Sequence, residues 1–175
     1  NDMVKDYQGR AKIAAGEVFE PSFDNIDSRT VVTQLSNGTK LSLLSKKTRG
    51  ESVVASIMMS MGTEKSLHNL GSIGDATSAM LMRGTSELSR QDIQDEFDKL
   101  KAQVSVAGGV DGLVATITTT KDNLSAALVL MHKVLSDPGF DATEFDQYKS
   151  TLKVDIEQNL QDPQRLAFNE YSRKQ

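Results

Sequence analysis

Cysteine and tryptophan are absent from this chain of 175 residues, and the other aromatic residues are limited to 6 phenylalanines and 3 tyrosines. Without cysteine the protein can form neither disulfides nor thiolate zinc sites, although this absence does not choose a cellular compartment. Stability must therefore rest on a hydrophobic core. With 38% hydrophobic residues, the chain is long enough to bury one such core, and a single domain is expected.

Long hydrophobic runs and clusters of basic residues are also missing. No stretch approaches the ~20 apolar residues that cross a bilayer, and no signal peptide is recognisable. With a net charge of -4 and no run of Lys and Arg, nucleic-acid binding is not expected. The chain starts at Asn1 and ends within a helical pattern, which suggests a piece of a longer protein. Missing targeting signals therefore say little about the parent.

Strands are predicted where apolar residues alternate or run together between turn signals. The predicted strands are 30–35, 39–45, 52–60, 102–107 and 111–119. The first two form a hairpin around Asn37 and Gly38, a pair that readily takes the positive φ angles of a tight turn. The last two form a second hairpin, which we expect Gly108 and Gly109 to join.

Helices are predicted after the strands, from capping signals and apolar spacing. Ser89 and Asp92 supply an N-cap and an acid at the third helical position. Further helices are expected from Asp122 or its neighbour through residue 135, from Thr143, and from Pro163. The order predicts an α+β fold, a mainly antiparallel sheet with helices packed on one face.

Two regions are distinguished along the chain. Residues 1–28 are interpreted as an inter-domain linker or approach segment, in which residues 2–15 have helical spacing without a strong apolar stripe. Residues 29–175 are interpreted as one domain.

The stretch 70–85 predicts a buried helix around which the domain is organised. Its apolar stripe recurs at spacings of three and four: Ile73, Ala76, Thr77, Met80 and Leu81. Gly84 followed by Thr85 ends the helix. Neither His, Cys nor Glu occurs between Gly71 and Met82.

Residues 80–85 (MLMRGT) close this stretch in a way that resembles the motif helix of the pitrilysin/insulinase family of zinc peptidases, the inverzincins. The family's run reads roughly Gly-Leu-Ala-His-Phe-Leu-Glu-His-Met-Leu-Phe-Lys-Gly-Thr. There two histidines four residues apart ligate zinc, and the Glu beside the second polarises the bound water. When the two sequences are aligned on the shared Met-Leu-x-basic-Gly-Thr pattern of residues 80–85, Asp75 corresponds to the first His, Ser78 to the Glu and Ala79 to the second His.

None of these positions keeps the chemistry of the family. Ala79 has no ligand atom, and the hydroxyl of Ser78 is not a general base at neutral pH without a partner. A third family ligand, a Glu in a later helix, corresponds here to Asp155. One lone Asp is not a zinc site. The resemblance thus implies no catalytic, metal-binding or cofactor-binding residue in this chain, with zinc held in the parent's catalytic domain.

The resemblance, which runs from about Glu17 to the end, implies a metallopeptidase half-domain of the pitrilysin and mitochondrial-processing-peptidase type. It would be of the non-catalytic type and C-terminally incomplete. The implied function is to pair with a catalytic His-x-x-Glu-His domain, in the same chain or a partner chain, and to enclose and bind peptide substrate. The alternative is an autonomous peptide- or protein-binding module of the same fold without a peptidase partner.

Three further expectations follow. A peptidase site within this chain would need Asp75, Asp155 and a His from elsewhere, and fold resemblance cannot supply such ligands. A homodimer that covers the incomplete C-terminal face is a further expectation. Similar bacterial enzymes are commonly exported, so a periplasmic or otherwise exported location is suspected by resemblance.

Other candidate residues are given simpler interpretations. His68 and His132 are 64 residues apart, and each lacks the partner four residues away that a helical metal site needs. Arg49 lies in a charged connection and is interpreted as part of a solvated turn rather than as a substrate-binding group. Five methionines, at positions 58, 59, 61, 80 and 82, are expected to fill the core rather than to form a copper or peptide surface.

Overall fold

The computed structural model describes residues 15–109 and 111–172. The chain divides into two compact units, one of residues up to Val53 with Thr120–Asp122, the other of Val54–Thr119 and residues from Asn123 onward. The helical spacing expected over residues 2–14 lies outside the described residues. The division into a linker of residues 1–28 and a domain of residues 29–175 stays a prediction.

The smaller unit is built on a helix and a hairpin. Helix α1 (Phe23–Arg29), which the sequence did not predict, leads into strands β1 (Thr30–Gln34) and β2 (Lys40–Leu44). The strands pair antiparallel, as predicted. Asn37 Oδ1 accepts a hydrogen bond from the backbone N–H of Thr39 at 3.0 Å. Gly38 has φ 87°, the left-handed conformation that glycine adopts without steric cost.

The rest of the chain forms a three-stranded sheet covered by helices, with strand order β3-β5-β4. Its elements are β3 (Ser52–Ser60), α2 (Glu64–Leu67), α3 (Gly71–Leu81), α4 (Arg90–Lys99), β4 (Gln103–Gly109), β5 (Gly112–Thr120), α5 (Leu124–Ser136), α6 (Ala142–Gln161) and α7 (Pro163–Ser172). Strands β4 and β5 pair antiparallel. The predicted α+β fold, with an antiparallel sheet and helices on one face, is confirmed.

The core lies between strand β5 and helices α4 and α5. Every second residue of β5 is buried: Leu113, Ala115, Ile117 and Thr119. Ile93 and Phe97 of α4 are each 1% exposed, and Met131 of α5 is fully buried. Removing a side chain of this size from water contributes about 1.5 to 3 kcal/mol. Ile93 and Phe97 thus form the buried face of α4.

Two sequence expectations about burial were wrong. Ile73 is 60% exposed, because only the second half of α3, from Ser78 to Leu81, is buried. Met58 is 79% exposed, since burial alternates along β3 and Met58 lies on its outer face. Met80 is buried as expected, whereas the methionines of β3 do not all fill the core.

The expected joint of the second hairpin was also wrong, since Gly108 and Gly109 both belong to strand β4. A Cβ atom on Gly108 would lie 2.4 Å from the carbonyl oxygen of Gly112. Gly108 is thus needed for close approach of the strands rather than for the turn. None of the helices within the described ranges is long and apolar enough to cross a membrane.

Acid titration of the cap of α4 gives a first test. Hydrogen bonds from the hydroxyl and then from the backbone N–H of Ser89 lower the pKa of the Asp92 carboxyl. Because the folded-state pKa is lowered, the stability from ionised Asp92 is present above the unfolded-state pKa and lost as pH falls through the folded-state value. Asp92→Asn should therefore reduce the free energy of unfolding at neutral pH and make little difference in acid.

Urea unfolding followed by circular dichroism over a pH series measures this difference. Asp95→Asn is the control, because it removes a charge from the same helix without removing the bonds to Ser89. A loss of stability in Asp92→Asn that is the same at every pH would contradict the assignment.

Candidate functional site

Ser78 holds helix α3 against strand β4. The sequence resemblance places this residue at the catalytic Glu of the zinc peptidases. Ser78 is 7% exposed, and its Oγ lies 3.0 Å from the carbonyl oxygen of Asp75 and 3.1 Å from that of Gly108. The hydroxyl donates its one proton to these carbonyls, one within the helix and one on the strand. It therefore bridges helix and sheet and cannot serve as a base.

The neighbouring motif positions differ from one another in their surroundings. Asp75 is exposed at the helix surface, and its Oδ1 would lie 3.3 Å from a Cβ atom placed on Gly109. Ala79 is half-buried and offers only a methyl group. Asp155 lies exposed on α6. α3 thus brings Asp75 and Ser78 to the end of β4, where Gly109 leaves room for the carboxylate.

A metal-binding cluster is not formed by the described part of the chain. Over residues 15–109 and 111–172, no three His, Asp or Glu side chains lie close enough together to hold a metal ion. His68 follows the short helix α2 and His132 lies on α5, both exposed. The absence of a zinc site, inferred from Ser78 and Ala79, stays a prediction.

An ion pair that no local sequence pattern indicates anchors the end of the motif. Arg83 Nη1 donates to Glu144 Oε2 at 3.0 Å, and both side chains are mostly buried, at 18% and 22% exposed. The guanidinium carbon of Arg83 also lies 5.8 Å from the centre of the Tyr148 ring. Arg90 approaches the same carboxylate at 3.8 Å. The basic residue before Gly84 and Thr85 thus joins the end of α3 to α6.

The Gly-Thr pair that follows Arg83 is likewise structural. The backbone N–H of Gly139 donates to the carbonyl of Gly84 at 3.0 Å. A Cβ atom on Gly139 would lie 2.5 Å from the carbonyl oxygen of Thr85. Thr85 Oγ1 accepts from the backbone N–H of Leu88 at 2.9 Å. The loop after α5 is therefore packed directly against the end of the motif helix.

An apolar groove of about 520 Å³ lies between the exposed side of α3 and the start of α6. Its apolar lining residues are Ile73, Ala76 and Met80 from α3, with Phe140, Ala142 and Phe145 from the α6 side, and Ser72 and Thr77 of α3 are its polar ones. Ile73 is 60% exposed and Phe140 49% exposed, so the groove presents large apolar side chains to solvent. Such a surface can accept apolar side chains of a peptide or protein.

The fold is similar to that of solved structures of the peptidase M16 type, as the resemblance implied. One similar structure is the peptidase M16 inactive domain from Pseudomonas fluorescens, with 21% identity and a TM-score of 0.65 over 81% of this chain and 34% of that one. Another is a mutant of the ferredoxin protease FusC in complex with Arabidopsis ferredoxin, with 16% identity and a TM-score of 0.64 over 92% of this chain and 17% of that one.

These similarities concern the fold. No family model and no curated protein sequence matches the chain. The chain spans about a third of the length of the first structure and about a sixth of the second.

Replacing Ser78 tests the bridge between α3 and β4. Ser78→Ala should lower the free energy of unfolding by about 0.5 to 1.5 kcal/mol, because the carbonyl of Gly108 loses its hydrogen bond from Ser78. Ser78→Glu should lower it further, since a longer charged side chain would have to fit a buried position. Urea unfolding measures both. Thr77→Ala is the matched control, because the Thr77 hydroxyl bonds only within the helix, to the carbonyl of Ile73, and an equal effect there would refute the bridge.

A double-mutant cycle tests the anchor of Arg83. Either Arg83→Met or Glu144→Gln should lower the free energy of unfolding by about 1 to 3 kcal/mol, since each leaves a mostly buried polar partner behind. The double variant should cost less than the sum of the two. The exposed pair of Lys153 and Glu157, 4.0 Å apart on α6, is the control and should show almost no coupling. Additive losses at Arg83 and Glu144 would contradict the anchor.

Proposed function

We propose that this chain is a non-catalytic domain of a zinc-dependent metalloendopeptidase, which pairs with a catalytic His-x-x-Glu-His domain to enclose and bind peptide substrate. The observation that carries the proposal is which residues occupy the motif positions of helix α3. The helix ends on the family's Met-Leu-x-basic-Gly-Thr pattern, but Ser78 stands where the catalytic Glu would be and bridges to the carbonyl of Gly108. Zinc would then be held by the catalytic partner, and export would follow the enzymes that the chain resembles.

The apolar groove beside α3 supports a role in binding peptide. It lies next to the helix on which a catalytic domain of this type would carry its metal, and most of its lining residues are apolar. A half-domain that has lost its metal ligands can thus still contact substrate through this face of α3. The side chains that would do so are Ile73, Phe140 and Phe145.

Exposed apolar side chains on the last two helices support pairing with another protein surface. Leu160 on α6 is 61% exposed and Phe168 on α7 is 69% exposed. Surfaces that leave several large apolar side chains in water are commonly covered by a partner. A second copy of this chain is the competing occupant, and it would show as a dimer in solution.

Reconstitution tests the proposal. The gene that encodes this chain and the adjacent genes are searched for a segment that encodes a His-x-x-Glu-His helix. That segment is then expressed with and without this chain. Hydrolysis of a quenched fluorescent peptide library should require both the catalytic segment and this chain, because this chain would position substrate and exclude water from the site.

Two outcomes would decide against the proposal. A catalytic segment with the same activity alone would show that this chain has no part in hydrolysis. Absence of any such segment, together with specific peptide binding by this chain, would favour the autonomous binding module instead. The double variant Ile73→Ser, Phe145→Ser should lower the reconstituted activity, with the exposed Val129→Ser on α5 as the matched surface control.

A further inference from the structure

A pocket of about 320 Å³ in the smaller unit is lined by three lysines and one carboxylate. Its walls are Ala15, Lys46, Lys47, Thr48, Glu51, Ser52, Val53 and Lys121. Three cations against one Glu leave the pocket with an excess of positive charge, in a chain whose net charge is -4. Like charges in one small space repel each other and do not stabilise the fold.

Within the described residues, no salt bridge includes a lysine of the pocket. Within residues 15–109 and 111–172, the ammonium groups of Lys47 and Lys121 form no hydrogen bond or ion pair. Lys46 Nζ lies 5.1 Å from the centre of the Phe19 ring, which restricts that side chain without neutralising it.

The nearby carboxylate of Glu17 offsets the positive charge of the pocket only in part, because it is paired with Arg29. Glu17 Oε1 accepts from Arg29 Nη1 at 2.7 Å and from the backbone N–H of Lys47 at 2.9 Å. These hydrogen bonds, the one from Arg29 first, lower the pKa of Glu17, so it stays ionised and occupied. The backbone N–H of Glu17 also donates to the carbonyl of Lys47 at 3.0 Å, which fixes one wall of the pocket.

The opposite wall is a turn with an unusual backbone. Gly50 and Glu51 have φ angles of 66° and 54°, and the second is a conformation that residues with a side chain rarely adopt. Thr48 Oγ1 donates to the carbonyl of Ser52 at 2.5 Å and closes the turn. The turn places the Glu51 carboxylate at the pocket, where it can accept hydrogen bonds. Strained residues of this kind occur mostly where surrounding structure holds them for a purpose.

We propose that this pocket binds a carboxylate side chain of an acidic peptide segment. Lys46, Lys47 and Lys121 would attract the carboxylate, Ala15 and Val53 would contact its methylene groups, and Glu51 would accept a peptide N–H. A free phosphate fits less well, because Glu51 repels a dianion and no arginine lines the pocket to grip it through two nitrogens. The inference deepens the proposed function, on which it rests, by naming acidic peptides as the substrate class.

Fluorescence anisotropy of a labelled peptide of alternating Glu and Ala, titrated with the whole chain, tests this inference. The peptide should bind, and its Gln-for-Glu counterpart should bind at least about fivefold more weakly. Binding should weaken between about 50 mM and about 300 mM NaCl, because exposed charges are screened by salt. Inorganic phosphate at millimolar concentration should compete poorly.

Charge variants identify the site. Lys47→Gln with Lys121→Gln should weaken binding of the acidic peptide about five- to tenfold. The control, Lys40→Gln with Lys65→Gln, removes the same charge from outside the pocket and should leave binding unchanged. Lys47→Arg with Lys121→Arg keeps the charge and should retain binding, which separates a lost site from a misfolded protein.

Three results would overturn the inference: equal affinity for the Gln peptide, an equal effect of the control variant, or phosphate competition as strong as that of unlabelled acidic peptide. The titration needs no catalytic partner. If the acidic peptide does not bind but the reconstituted domains are active, this inference alone is wrong. If the peptide binds but the reconstituted domains are inactive, the proposed function alone is wrong.

Discussion

Close packing of helix α3 on strand β4 is the constraint on which the rest of the larger unit depends. Ser78 has to be small enough to be buried and polar enough to satisfy the carbonyl of Gly108. Gly109 in turn leaves the space in which the carboxylate of Asp75 lies. A His, Glu and His at positions 75, 78 and 79 would fill this interface with larger and more polar groups, so tight packing and a metal site compete for one helix face.

The same helix is fixed at its far end by charge and backbone contacts. Arg83 reaches Glu144 at the start of α6, and Gly84 receives the N–H of Gly139 from the loop between α5 and α6. These contacts set the angle between α3 and α6 and therefore the width of the apolar groove between them. A groove with firmly held walls can bind a peptide with little loss of side-chain freedom on its own part.

Local signals allowed much of the fold to be predicted from the sequence. The Asn37-Gly38 turn, the Ser89 cap and the alternation along β5 each depend on neighbours in sequence, and each was confirmed. The assignment of Asp75, Ser78 and Ala79 to the motif positions rests on the Met-Leu-x-basic-Gly-Thr end alone and stays a prediction.

Features built from distant residues could not be predicted. Arg83 and Glu144 are separated by 61 residues, and no local pattern indicates that they meet. Lys121 joins Lys46 and Lys47 in one pocket only through the fold. Ile73 was misassigned to the core because helical spacing identifies a stripe but does not say how much of the stripe the sheet covers.

Zinc stoichiometry is the most direct test of the proposal that this chain is a non-catalytic domain. Equilibrium dialysis of the purified chain against zinc, followed by elemental analysis, should find no stoichiometric metal, because Ala79 offers no ligand atom and Ser78 is committed to the carbonyl of Gly108. One zinc ion held tightly by each chain would contradict the account.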